Sequence, residues 1–410
     1  MSTAGGSGES GVGNGSLTTG HFLFALVLLL FAALRVPLLI VRAPFFDELF
    51  TRWIAGKSFA GILAALRLDS GPPLYYFVVH AIGDPSIVAT RFLSLLCAAV
   101  SVVVILRATR WAPAAALLLA VFPPAVLFAA DTRAYAMCAM FVTIAVLAVD
   151  EDRPVVAAIV LVLAAYSHYY GALCFPMLLA PGARSASIRP AGRLRSIVWR
   201  FLGPGSFGWD PFGRHWSALA LAALLFVPGV LLATLQPAAA REWMTSAWPD
   251  GLFVRPPIAL AIVAAPLVLC LAASLRQNRF RLALMTTMIG VGITWSVLGI
   301  LDHANRPPDS FRQAARWVSA NIAANQNVVA SGYCYLETLM NGHPRVTAFP
   351  PEQAEHPGWR ALPQAGLRSP AGLFFWIGER NAPELDVFVR DRRRIQPLFI
   401  NDRAMVALVR

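Results

Sequence analysis

The chain has 410 residues, of which 57% are hydrophobic and 14% charged, with a formal net charge of +12. Soluble domains carry roughly 25% charged residues, so a wholly water-soluble fold is excluded and most of the chain must bury apolar surface on every side. The positive charge is almost all arginine, with Lys57 the only lysine, and it gathers between apolar segments. That distribution marks loops retained on the cytoplasmic side of a membrane, not a nucleic-acid surface.

In chain order, residues 1–20 are Gly/Ser-rich and predict a disordered cytoplasmic tail. Apolar runs follow at 22–41, 72–83, 88–106, 112–129, 132–149, 154–166, 169–181, 216–236, 256–275 and 281–301. A helix needs about 20 such residues to cross the hydrocarbon core, so 21–302 predicts a polytopic membrane domain whose first helix is not a cleaved signal. Arginines in 182–215, at Arg107 and Arg110, and at 276–281 set those loops inside, and put 130–133, 167–168, 237–255 and everything beyond 302 outside. The count works only if 72–83, too short for a full span, does not cross. Between the first two runs, Phe46, Leu49, Phe50, Trp53 and Ile54 recur on one helical face, predicting an interfacial helix over 46–68 in which Glu48 meets Arg52. Residues 303–410 change character. Ser310 and Gln313 suggest a capping box, strands are predicted at 327–331, 345–349, 372–377, 396–400 and 405–409, and a short helix near 383–390. This is a small soluble α/β domain. The five cysteines form no CxxC pair and suggest neither zinc nor a disulfide framework.

Chemistry-bearing residues cluster at the predicted membrane edges. Asp47-Glu48 could supply a general base and a cation ligand; the plainer reading is interfacial charge ending a helix. Tyr75 and Tyr76 follow two prolines in DSGPPLYY, where a helix start and an aromatic belt explain them equally. Arg91 opens the next segment. Asp131, Arg133 and Tyr135 lie in FAADTRAYAM, where the arginine could bind phosphate or simply pair with Asp131. His168, Tyr169 and Tyr170 separate two apolar halves. Gly56-Lys57-Ser58 only mimics a P-loop, and Asp150-Glu151-Asp152 reads as a solvated turn and not a nucleotide-sugar motif.

The order of these signals (DE, PPLYY, RxxS, DxRxY, HYY) resembles the GT-C superfamily of membrane glycosyltransferases, on the branch of the protein O-mannosyltransferases and the lipid A aminoarabinose transferase. The resemblance covers roughly residues 20–180, with Gly71 where that family usually has histidine. It implies a GT-C-like all-α bundle in a bacterial inner membrane; position alone, beyond the last apolar run, puts the extracytoplasmic C-terminal domain over the outer opening. It also implies inverting transfer of a sugar from a polyprenyl phosphate to a glycan, lipid or protein of the cell envelope. Asp47 would be the base and Glu48 its acidic partner, with Arg133, Arg52, Arg91 and Lys57 candidates for the donor phosphate. Tyr75, Tyr76, Tyr135, His168 and Tyr169 would contact substrate, and Glu48 with His168 could hold Mg²⁺ or Mn²⁺. The competing classes are a transporter or flippase for a lipid-linked sugar and a catalytically inactive relative, a binding or assembly protein that kept the fold and lost the chemistry. A flippase would show paired internal repeats, and none is visible.

Overall fold

A computed structural model describes residues 14–69, 71–83, 86–108, 112–179, 211–236, 278–305, 309–341, 343–354 and 366–410. The apolar run at 256–275, the arginines between 184 and 200, and the loop at 237–255 lie outside them.

The membrane part begins with α1 (Asn14–Val41), whose first turns fall inside the predicted tail. Three apolar stretches are long enough to cross a bilayer: Phe24–Val41 of α1, Ile87–Leu106 of α5 (Ile87–Ala108), and Trp216–Leu235 of α10 (Pro211–Leu235). Large apolar side chains stand bare along them, Leu29 at 68% and Leu224 at 69% exposed among others. Water would not tolerate so much apolar surface; lipid covers it.

Between α1 and α5 come three short helices, two of them in place of the single predicted interfacial one. The predicted 46–68 helix is two, α2 (Phe46–Ala55) and α3 (Phe59–Leu66), because Ser58 leaves the helix to cap α3, accepting the Gly61 N–H at 3.2 Å. The apolar face of α2 is also not laid on lipid. Leu49, Phe50 and Ile54 are buried in a cluster with Ile62, Leu66 and Tyr76, closed by Leu336 of the C-terminal domain. Next, α4 (Leu74–Ala81) has eight residues, about 12 Å of helix. It cannot cross a core about 30 Å thick.

The run 112–129 is broken into α6 (Ala112–Val121) and α7 (Pro123–Phe128) by Pro123 and Pro124, with Phe122 extended between them. In a continuous helix the carbonyls of Leu119 and Ala120 would accept from residues 123 and 124, which as prolines have no N–H. Arg35 of α1 takes over both. Fully buried, it donates to Ala120 at 2.5 Å and Leu119 at 3.1 Å, while Ser296 of α11 (Asn278–Asn305) donates to Val121 at 3.4 Å. Backbone groups inside a bilayer must be satisfied by protein, so this arginine in an apolar span is structural. Gly292 lets α11 approach, since a Cβ there would lie 2.7 Å from the Val121 carbonyl oxygen. The hairpin of α8 (Tyr135–Asp150) and α9 (Pro154–Ser167) turns through Glu151-Asp152-Arg153, and a 3-10 segment, Tyr169–Leu179, folds back along it.

The C-terminal part carries a five-stranded sheet, order β2-β1-β3-β5-β4. Its strands are β1 (Val328–Ala330), β2 (Val346–Ala348), β3 (Phe374–Glu379), β4 (Ile395–Ile400) and β5 (Ala404–Val409). β1 lies parallel to β2 and β3, and β5 antiparallel to β3 and β4. One face packs on α12 (Ser310–Asn321), whose predicted stripe of Phe311, Ala314, Ala315, Val318 and Ile322 is buried throughout, and on α13 (Tyr333–Met340). The other face packs on α14 (Glu384–Arg390) through Val387 and Phe388 against Trp376. The N-cap of α12 is Asp309, accepting from Phe311 N, one residue before the Ser310 expected from the capping-box spacing.

Candidate active site at the start of α2

Asp47 and Glu48 occupy the first turn of α2, where the helix dipole favours negative charge. Successive helical residues point about 100° apart, and the two carboxylates part company. Glu48 is fully buried. Its Oε1 accepts from Arg91 Nε at 2.8 Å and Thr132 N at 2.9 Å, and its Oε2 from Arg91 Nη2 at 2.6 Å and Phe45 N at 3.2 Å. Arg91, 1% exposed, also donates to the Leu39 and Arg42 carbonyls. One ion pair thus fastens the end of α1, the start of α2, the start of α5 and the 129–134 loop.

These contacts place several of the sequence-based candidates. Glu48 is committed to Arg91 and not to Arg52, and neither it nor Arg91 has a free group to offer a cation or a phosphate. Among the described residues no three His, Cys, Asp or Glu side chains gather as a metal site. The expected Mg²⁺ or Mn²⁺ pairing of Glu48 with His168 therefore does not fit these residues. Asp131 pairs with Arg42, not with Arg133. Tyr75 is buried with its hydroxyl 3.3 Å from Ser94, so it packs and positions rather than lining an opening.

Asp47 is the opposite case. Its side chain is half exposed, and Oδ2 lies 3.8 Å from Nη2 of Arg133, the residue after Thr132. Burial disfavours the charge on Arg133, yet Asp47, Tyr76 and Tyr135 around it hold it above the ordinary arginine range. The guanidinium sits 5.8 Å from the Tyr135 ring centre. Tyr135 in turn lies 5.1 Å from His168, and His168 4.7 Å from Tyr170. Burial, then the nearby Arg133 charge, push His168 down to about 4, so it is neutral at physiological pH. Asp47, Arg133, Tyr76, Tyr135 and His168 therefore form one continuous site.

Other candidates lie apart. Lys57 places its ammonium 3.8 Å above the Trp53 ring, on the α2–α3 turn, and burial lowers its pKa. Arg52 is half-buried farther along α2. Tyr169 packs toward Phe226 of α10. At Gly71, where a histidine was expected from the resemblance, a Cβ would meet the Tyr76 hydroxyl at 2.9 Å, so a histidine there requires Tyr76 to move. Sequence reasoning missed Gln236, a buried amide that donates to Leu66 and Gly71 and holds that loop in place. Its only signal was a polar residue closing the apolar run 216–236.

The C-terminal domain seats on the same helix. Phe46 meets Tyr333 edge to face at 4.4 Å, and Arg312, paired with Glu337 at 3.2 Å, donates to the Pro44 carbonyl. Only Phe45 and Phe46 lie between Pro44 and Asp47.

No family model matches the chain, and no characterised protein matches it by sequence. Among solved structures it is similar to the crystal structure of ArnT from Cupriavidus metallidurans bound to undecaprenyl phosphate. The identity is 12%, with 97% of this chain and 98% of that chain covered and a TM-score of 0.45. A likeness at that level carries no argument about chemistry, which rests on the residues above.

Proposed function

We propose that this chain is a GT-C-type membrane glycosyltransferase, moving a sugar from a polyprenyl phosphate to an acceptor hydroxyl with inversion at the anomeric carbon. One observation carries the reading: an accessible carboxylate, Asp47, is held 3.8 Å from the arginine Arg133 at the end of a membrane helix by a buried ion pair. Base and anion-binding group are thus side by side where a lipid-borne donor and a water-borne acceptor can meet.

In the proposed reaction Asp47 takes the acceptor hydroxyl's proton as its oxygen attacks the anomeric carbon. The bond from that carbon to the phosphate oxygen breaks, and the polyprenyl phosphate departs carrying the electron pair. Arg133 stabilises the charge developing on that oxygen. Tyr135 and Tyr76 flank the guanidinium, and neutral His168 adds an aromatic wall without a competing charge. The C-terminal domain, seated against α2, presents the acceptor from the outer face.

The test is transfer of label from a panel of polyprenyl-phosphate sugars into membrane extract. Incorporation by the wild type and none by Asp47→Asn supports the assignment. A purified, folded protein that moves no sugar from any donor sinks it and favours the flippase reading.

A further inference from the structure

We propose that a groove on the C-terminal domain, between α14 and the 366–371 loop, is a binding site for a phosphate group, free or carried by a lipid. It lies on the sheet face opposite α12 and α13, hence away from α2 and the proposed active site. The groove encloses about 650 Å³ and is lined by Arg368, Ser369, Arg390, Asp391 and Arg393, among others. That volume is within the range of ligand pockets, and more than a bare phosphate fills.

The plainer reading is that these arginines staple a loop, and in part they do. Arg390 bonds the Leu367 carbonyl, Arg393 the Gly372 and Pro370 carbonyls, and Asp391 accepts the Ser369 N–H at 2.6 Å. Two facts remain unexplained by stapling. Arg368 is exposed and, among the described residues, no carboxylate pairs with it or with Arg393. Asp391 offsets one of the three guanidiniums, through Arg390 at 3.6 Å, and leaves two charges unbalanced. Two guanidinium forks with spare donors suit a tetrahedral dianion. Phe374, 5.5 Å from Arg393, fixes the plane of one fork, and the stapled loop holds its backbone in place beforehand.

The experiment titrates full-length protein in uncharged detergent with inorganic pyrophosphate, by calorimetry. Wild type and Arg133→Gln, which lacks the anion-binding group of the proposed active site, should share one saturable site. Arg368→Gln, an exposed change that leaves the staple alone, should weaken binding by roughly tenfold or more. Arg316→Gln, an exposed arginine on the other sheet face, should bind as wild type does. Repeating the titration in nanodiscs separates the sources. Competition by phosphatidylglycerol but not phosphatidylcholine supports the site with a lipid headgroup as its ligand, and equal binding in both supports it with a soluble one. Absence of saturable binding, or equal losses from Arg368→Gln and Arg316→Gln, overturns the proposal. The readout is binding alone, so it stands or falls separately from sugar transfer.

Discussion

Replacing Glu48 by glutamine keeps the shape of the side chain and removes its charge, which makes it a direct probe of how the site is braced. The carboxylate accepts four hydrogen bonds, two from Arg91 and one each from Thr132 N and Phe45 N. An amide has one oxygen to offer, and its nitrogen would face a donor. Arg91 would be left charged, 1% exposed and held by two carbonyls only. Breaking one partner of a buried pair costs about 3–5 kcal/mol, and Arg91→Met should cost a similar amount by stranding the carboxylate. The double variant strands neither charge. Unfolding measured in mixed SDS micelles across all four proteins should therefore give a coupling of about 2 kcal/mol or more. If the single costs add to the double within about 0.5 kcal/mol, the pair is not the brace described here. Activity should fall in step with stability, because Asp47 and Arg133 each adjoin a braced residue.

Asp47→Asn, by contrast, changes a half-exposed side chain and should leave stability within about 0.5 kcal/mol of wild type, with transfer reduced about a hundredfold or more. Arg133→Gln should lower turnover about a hundredfold; an unchanged rate in the same assay would remove it from the phosphate. Arg35→Leu strands the Leu119 and Ala120 carbonyls at about 1–3 kcal/mol each. Adding Pro123→Ala and Pro124→Ala, which supply the missing N–H groups, should recover much of that loss, and thermal stability in detergent that is no better in the triple variant would contradict the account. His168 titrates lower in the fold than in the unfolded chain, so the unfolded chain binds more protons between pH 6.5 and about 4. Its contribution is present above that window and lost as pH falls through it, and His168→Gln should flatten this slope in acid-denaturation curves.

Elements whose residues argue from local pattern were legible from the sequence. The stripe on α12 and the five strands of the C-terminal domain lie within two residues of their predicted places, because period-2 and period-3.6 patterns report burial directly. What went unread was set by distant partners or missing groups. The helix α13 between β1 and β2 was not anticipated, although a parallel pair requires a crossover; the parallel pairing itself cannot be seen in two three-residue strands. The face of α2 looked interfacial because an apolar stripe is the same whether lipid or Leu336 covers it. Arg35 looked like an interruption of α1, when its meaning lay 85 residues away in the Ala120 carbonyl that two prolines leave without a donor.

The acidic doublet shows how the two kinds of information meet. Two adjacent carboxylates at a membrane edge suggest shared work, a base and a cation ligand. Helical geometry instead sends one inward and one outward, and each then acquires its role from what lies across from it. Thr132 and Arg133 repeat the division on the facing loop: Thr132 gives its N–H to buried Glu48, and Arg133 reaches 3.8 Å from exposed Asp47. Two consecutive residues on each side thus make a buried contact and an accessible one in the same register. The buried contact fixes the spacing of the accessible pair without using any atom that the reaction needs. This is why Glu48 can matter to transfer while never touching substrate, and why its loss should read as a loss of fold and that of Asp47 as a loss of chemistry.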